Sequence, residues 1–250
     1  MKKYLLLLPL VIGFSNAWGE ISIENHQQYF GSDGSLYIVG EIQNQLDVTL
    51  TKVNVYATLY SENKIIDTVS TSSLVNTIMP GMKGPFEIII FGQTAKMIDD
   101  YSLDIDYKVG KPKSQVIDVT SSEISRDNFD NLVITGMVTN RGDLTANAIS
   151  IVATLYDKEG KVAAVSKSFA RPDYLRSNDE SFFLISAIDK TQTESIVDYS
   201  LVAESEEYAA VPEFPIGSML LLVGSVSGYL LITQYARRSI GNLICALNPP

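Results

Sequence analysis

The amino-acid sequence predicts an all-β protein: two tandem antiparallel β-sandwiches followed by one C-terminal transmembrane helix. Three observations predict it. One stretch of sequence is written twice, each copy alternates apolar and polar residues with period two, and a long uncharged apolar run lies near the C-terminal end.

The repeat fixes the organisation. Residues 38–60 read IVGEIQNQLDVTLTKVNVYATLY and residues 134–156 read ITGMVTNRGDLTANAISIVATLY, a gapless offset of 96 with 9 of 23 positions identical. Average composition would give about one or two. The identities include Gly40 and Gly136, Asn44 and Asn140, and the block Ala57-Thr58-Leu59-Tyr60 with Ala153-Thr154-Leu155-Tyr156. Further on, Asp100-Tyr101-Ser102-Leu103 recurs as Asp198-Tyr199-Ser200-Leu201 at an offset of 98, so the intervening loops differ slightly in length. Two copies are too few for a solenoid, and each is long enough to be a small domain. Domain 1 is placed at 20–108, a linker with turn chemistry at 109–113, and domain 2 at 114–204. A short acidic stalk follows at 205–213.

Within each copy the pattern is that of strands. Val53, Val55, Ala57 and Leu59 alternate with Asn54, Tyr56 and Thr58; Ile149, Ile151, Ala153 and Leu155 repeat that inward face. Turn signals separate the strands: Gly31-Ser32-Asp33-Gly34, Pro80-Gly81, Arg141-Gly142-Asp143 and Lys158-Glu159-Gly160. Short strands with regular turns predict sandwiches. Gly40 falls on the inward face between Ile38 and Ile42, and Gly136 between Ile134 and Val138. An interior glycine weakens a strand unless something needs its space. A bulky residue of the facing sheet is expected there: Phe86 in domain 1, and Phe182 or Phe183 in domain 2.

The two ends read as addresses. Residues 1–17 form a signal peptide: Lys2 and Lys3, an apolar stretch over 4–14, then Ser15-Asn16-Ala17 before Trp18. Residues 214–236 carry no charge and are long enough to cross a hydrocarbon core as a helix. Arg237 and Arg238 close the run and place residues 237–250 in the cytoplasm. Both ends predict one topology, with the sandwiches outside the cell.

Charge narrows the partners. The chain has 19 Lys plus Arg against 29 Asp plus Glu. Without Lys2, Lys3, Arg237, Arg238 and Glu213 the balance is 15 against 28. Such a surface repels phosphate backbones, which argues against nucleic acid. With a single cysteine, Cys245, no intrachain disulfide can form, and with a single histidine, His26, a multi-histidine zinc site is excluded. There is no Gly-rich phosphate loop and no G-x-S-x-G elbow. Asp104 and Asp106 on one strand face, and Asp127 and Asp130 at the entry to domain 2, are the weak candidates for calcium oxygens. Met79-Pro80-Gly81-Met82 is read as a turn, and Arg141-Gly142-Asp143 as a hairpin with glycine at a positive φ. No cofactor is expected.

Two resemblances add to this reading. The runs V-x-V-x-A-T-L-Y-S-E-N-K-I-I and I-x-I-V-A-T-L-Y-D-K-E-G-K-V, the preceding G-x-I/V-x-N, and the later Phe and D-Y-S-L elements resemble FxLYD domains, small Ig-like sandwiches of exported prokaryotic proteins. Domain 2 fits more closely, with Tyr156-Asp157 where domain 1 has Tyr60-Ser61; Ala57 and Ala153 stand near the position where the family often has an aromatic. The resemblance implies the Ig-like fold and no activity. Pro212-Glu213-Phe214, the apolar span, and Arg237-Arg238 resemble the PEF-CTERM sorting tails of archaeal surface proteins, although residues 239–250 extend beyond the usual end. That resemblance implies processing by a membrane archaeosortase-like enzyme. The expected function is a non-catalytic, membrane-anchored surface protein whose modules serve envelope structure or adhesion, with other envelope proteins or surface polymers as partners. The alternative is an extracellular ligand- or cation-binding accessory subunit of a membrane complex.

Overall fold

The computed structural model describes residues 20–187 and 190–212. The signal peptide, the apolar span, Glu213, Phe214, Arg237 and Arg238 all lie outside the described residues. Among the described residues, no helix is long and apolar enough to cross a membrane. The fold is all-β with antiparallel sheets, and the described residues divide into two compact units, with 20–29 and Gly34–Pro112 in the first and Phe30–Asp33 and 113–212 in the second.

In the first unit, β1 (Ile21–Phe30), β2 (Leu36–Asn44) and β6 (Lys83–Ile90) form one sheet in the order β1-β2-β6. The second sheet holds β4 (Lys64–Ser72), β3 (Leu50–Ser61) and β7 (Asp100–Val109), with the short β5 (Thr77–Ile78) beside the start of β3. A single helical turn, α1 (Gly92–Ala95), joins β6 to β7. The expected inward face is real: Val53, Val55, Ala57 and Leu59 are buried, together with Ile38, Ile42, Phe86 and Ile88 from the other sheet. Full burial of each large aliphatic side chain contributes about 1.5–3 kcal/mol.

The second unit repeats this plan. One sheet has the order β12-β9-β8, from β8 (Ile117–Arg126), β9 (Leu132–Asn140) and β12 (Glu180–Ala187). The other has the order β11-β10-β13-β14, from β10 (Ser150–Asp157), β11 (Val162–Phe169), β13 (Ile196–Glu204) and β14 (Val211–Pro212). A second helical turn, α2 (Lys190–Thr193), precedes β13. Ile134, Val138, Phe183 and Ile185 share one buried core with Ile151, Ala153, Leu155, Leu201 and Ala203.

The register shows where the repeat drifts. The offset is 96 at Tyr60 and Tyr156, 97 at Phe86 and Phe183, and 98 at Tyr101 and Tyr199. One residue enters at the first hairpin. Ser61 pairs with Lys64 across a two-residue turn whose residues Glu62 and Asn63 both have positive φ, 49° and 63°. Both values fit the turn that matches strand twist. In the second unit the turn is longer, and Asp157 holds it by accepting from the backbone N–H groups of Glu159 and Lys161 at 2.9 and 3.0 Å. The other extra residue enters between β12 and β13.

The paired glycines make room for aromatic rings, but from a different place than expected. Gly40 pairs with Phe86 and Gly136 with Phe183, each on the adjacent strand of the same sheet rather than on the facing one. A Cβ at Gly40 would lie 2.8 Å from Phe86 Cζ, and one at Gly136 would lie 2.6 Å from Phe183 Cζ. Each ring folds over its cross-strand glycine, and both are wholly buried.

Residues 205–212 do not form a stalk. Tyr208, Ala209 and Ala210 are buried in the second unit, and β14 pairs with β13. Their side chains are apolar or aromatic, and burial favours packing them over extending them from the surface.

Candidate functional site

The duplicated asparagines do structural work. Asn44 Nδ2 donates to the carbonyls of Val48 and Ile78 at 2.9 and 3.0 Å, and its Oδ1 accepts from Leu46 N–H at 3.1 Å. Asn140 makes the same three bonds, to Leu144 O at 2.8 Å, Leu175 O at 2.9 Å and Gly142 N–H at 2.9 Å. Both side chains are wholly buried, and each ties the backbone of two loops together while having its own polar atoms satisfied.

The aspartates expected for calcium fall into two separate settings. Asp104 and Asp106 sit on the exposed face of β7, and Asp104 Oδ1 accepts from Ile105 N–H at 2.8 Å. Asp127 and Asp130 lie in the turn of the β8–β9 hairpin. Asp127 Oδ1 accepts from the N–H groups of Phe129 and Asn131 at 2.9 Å, while Asp130 pairs with Arg126 at 3.1 Å. That turn is inside the second unit, past its first strand, and not at its entry. Among the described residues, no three His, Cys, Asp or Glu side chains gather where they could hold a metal ion.

Other singled-out residues are also engaged. Met79 Sδ accepts from Thr49 Oγ1 at 3.4 Å and Met82 is buried. Arg141 pairs with Asp118. Gly142 does not have a positive φ; it is needed because a Cβ there would strike the hydroxyl of Tyr208. That hydroxyl accepts from Leu144 N–H at 2.9 Å.

The feature not foreseen from sequence is a groove of about 480 Å³ in the first unit, between β1 and β7. Ile21 and Ile23 line one wall and Leu103 and Ile105 the other, all half-buried. His26 Nδ1 lies 2.7 Å from the Tyr101 hydroxyl, with the rings edge to face at 5.6 Å. Burial, and then the neighbouring Asp100 charge, hold the Tyr101 hydroxyl above its ordinary pKa. The second unit has the same bridge in smaller form, with Ser122 Oγ 3.1 Å from the Tyr199 hydroxyl. The available sequence signal was the missing counterpart of Tyr208-Ala209-Ala210: after Lys108 the chain runs through Gly110-Lys111-Pro112 straight into the second copy.

Residues 114–204 match a protein family of unknown function, DUF3426. No curated protein matches the chain. Among solved structures, an exo-chitosanase from Amycolatopsis orientalis is similar at 8% identity and a TM-score of 0.29, over 77% of this chain and 26% of that one. Red sea bream transglutaminase is similar at 9% identity and a TM-score of 0.24, over 76% of this chain and 29% of that one. The chain thus spans less than a third of either protein.

Proposed function

We propose that this chain is a non-catalytic cell-surface protein that presents two Ig-like modules of the FxLYD type for envelope structure or adhesion. Its apolar segment 214–236 anchors it, with Pro212, Glu213, Phe214, Arg237 and Arg238 forming a sorting tail of the PEF-CTERM kind. The observation that carries this reading is the use to which the duplicated residues are put. Gly40 and Gly136 seat phenylalanines, Asn44 and Asn140 tie loops, and Ala57 and Ala153 lie in a core. The repeat thus duplicates a scaffold and not a reaction centre. The strand orders support the Ig-like assignment: three strands, β8-β9-β12, face β11-β10-β13, with β14 where a seventh strand belongs. Asp157, the third letter of the Leu-Tyr-Asp element, has a turn-holding role that needs no ligand.

A second reading, an extracellular binding subunit, draws on the open groove between β1 and β7. For the main reading, protease added to intact cells should remove both modules and spare the tail. Protection of the modules on cells with an accessible surface would refute it. Mass spectrometry of the mature protein should show loss of residues after the Pro-Glu-Phe element; an intact C-terminus would leave a retained transmembrane helix in place of sorting.

A further inference from the structure

Among the described residues, the two units are the same assembly up to one strand. In the second, residues 205–212 turn back after β13 and close the gap between β13 and β8. Val202 pairs with Pro212 and Ala203 with Val211, antiparallel, while Ala210 bridges Ile117 in parallel. Gln115 Nε2 donates to Ala210 O at 2.6 Å, and Ala209 N–H donates to Ser114 O at 3.0 Å. In the first unit, no described strand pairs with the outer edge of β7. The gap there is the groove. Ile21, Leu103 and Ile105 are half-buried, whereas the corresponding Ile117, Leu201 and Ala203 are wholly buried.

We propose that this groove receives a β-strand supplied by another envelope protein. The strand would be an extended segment pairing antiparallel with β7, its small apolar side chains facing inward and its Lys or Arg side chains outward. The proposal rests on the reading of the chain as a surface module. The second unit shows what fits: β14 runs antiparallel to β13, and the residues just before it that fill the gap are mostly alanine. Charge selects the outward residues. Asp100, Asp104 and Asp106 lie exposed along β7, and opposite charges across neighbouring strands stabilise pairing. A second copy of this chain, edge to edge through β7, would set those carboxylates against their own kind.

The same aspartates guard the edge. Tyr101 N–H donates to Asp100 Oδ1 and Ile105 N–H to Asp104 Oδ1, both at 2.8 Å. Side chains that occupy edge donors discourage indiscriminate pairing. In the second unit Asp198 keeps the first of these bonds, to Tyr199 N–H at 2.8 Å. The counterpart of Asp104 there is Val202, which is already paired. On docking, the incoming carbonyl takes the Ile105 N–H, and the released Asp104 carboxylate meets a basic side chain. Strand addition of this kind draws affinity from main-chain bonds and specificity from alternate side chains.

The test uses the full chain and a short fluorescent peptide in which Lys alternates with Ala or Val. Saturable binding is expected, weakening as salt rises. A central proline in the peptide, or the double variant D104K/D106K, should weaken it by at least about tenfold. The double variant should instead prefer a peptide with Glu in place of Lys. Both aspartates are exposed, so the variant should fold, and circular dichroism checks this. Bound peptide should slow amide exchange at 103–107. Equal binding of a peptide with the same residues grouped into an apolar and a basic block would overturn the proposal, as would no binding at low salt or self-association through β7. Peptide binding by a chain whose modules prove intracellular would sink the surface reading and leave the groove assignment standing. Surface exposure without binding would do the reverse.

Discussion

Replacing Gly136 with valine tests the aromatic-over-glycine arrangement directly. A Cβ at this position would lie 2.6 and 2.7 Å from Phe183 Cζ and Cε1, and would collide with the backbone carbonyl of Ser121. The ring is wholly buried and cannot swing outward, and the carbonyl belongs to the adjacent strand. Overpacking of this kind costs about 1–3 kcal/mol, and a backbone obstacle puts Gly136→Val at about 3 kcal/mol or above. A domain's net stability is about 5–15 kcal/mol, so the loss is large. With a urea slope of about 1–3 kcal/mol/M, the midpoint should fall by about 1–3 M. At Gly40 the obstacles are His26 Cβ at 2.7 Å and the Phe86 ring, both side-chain atoms, so Gly40→Val should cost less. The assay is urea unfolding of the full chain followed by hydrogen exchange in peptides covering 132–140 and 180–187. Adding Phe183→Leu to Gly136→Ala should recover part of the loss. An unchanged midpoint for Gly136→Val, or equal costs at the two glycines, would refute the reasoning.

Side-chain hydrogen bonds and one ion pair give three further predictions. Asn140→Ala removes three hydrogen bonds; Leu175 O keeps the Ala146 N–H at 2.8 Å, but Leu144 O and the Gly142 N–H lose the amide that ties them. The change should cost about 1–3 kcal/mol, with Asn44→Ala costing a similar amount; thermal melts decide. Glu41 is buried and bonded to Lys83 at 2.8 Å and Asn25 at 3.0 Å. Lys83→Met should therefore destabilise by about 3 kcal/mol, while a Glu41→Leu, Lys83→Met pair should be close to neutral in denaturant titrations. Burial pushes the Glu207 carboxyl up, but hydrogen bonds from Asn147, its own backbone and Ser205 outweigh that and hold it below the usual range. Its folded pKa being depressed, its contribution is present above the unfolded carboxyl pKa and lost as pH falls through the folded value. The Asn147 amide resonance should move over that acidic window, and Glu207→Gln should abolish the movement.

Much of the fold was legible because period-two alternation records directly which face of a strand is buried. Val53, Val55, Ala57 and Leu59 needed no tertiary information. The partner of Gly40 did need it: alternation says that a residue points inward but not which strand lies beside it. The identity of Phe183 over Phe182 follows from register, which turn lengths set. The acidic composition around Glu206 and Glu207 hid the role of Tyr208-Ala209-Ala210, since three small or aromatic residues carry no periodic signal. The groove was harder still. Among the described residues it arises where the first unit has no counterpart of β14; the sequence shows that the Tyr208-Ala209-Ala210 segment has no equivalent after Lys108, but only the folded second copy shows what that segment covers.

The central claim is that one β-unit is built twice and that, among the described residues, a strand closes only the second copy. Amide exchange measured along β7 and β13 in the same full-length molecule tests it most directly. The account predicts that Leu103 and Ile105 exchange markedly faster than Leu201 and Ala203, because β14 and the segment before it cover only the second pair. Equal protection of the two strands would contradict it.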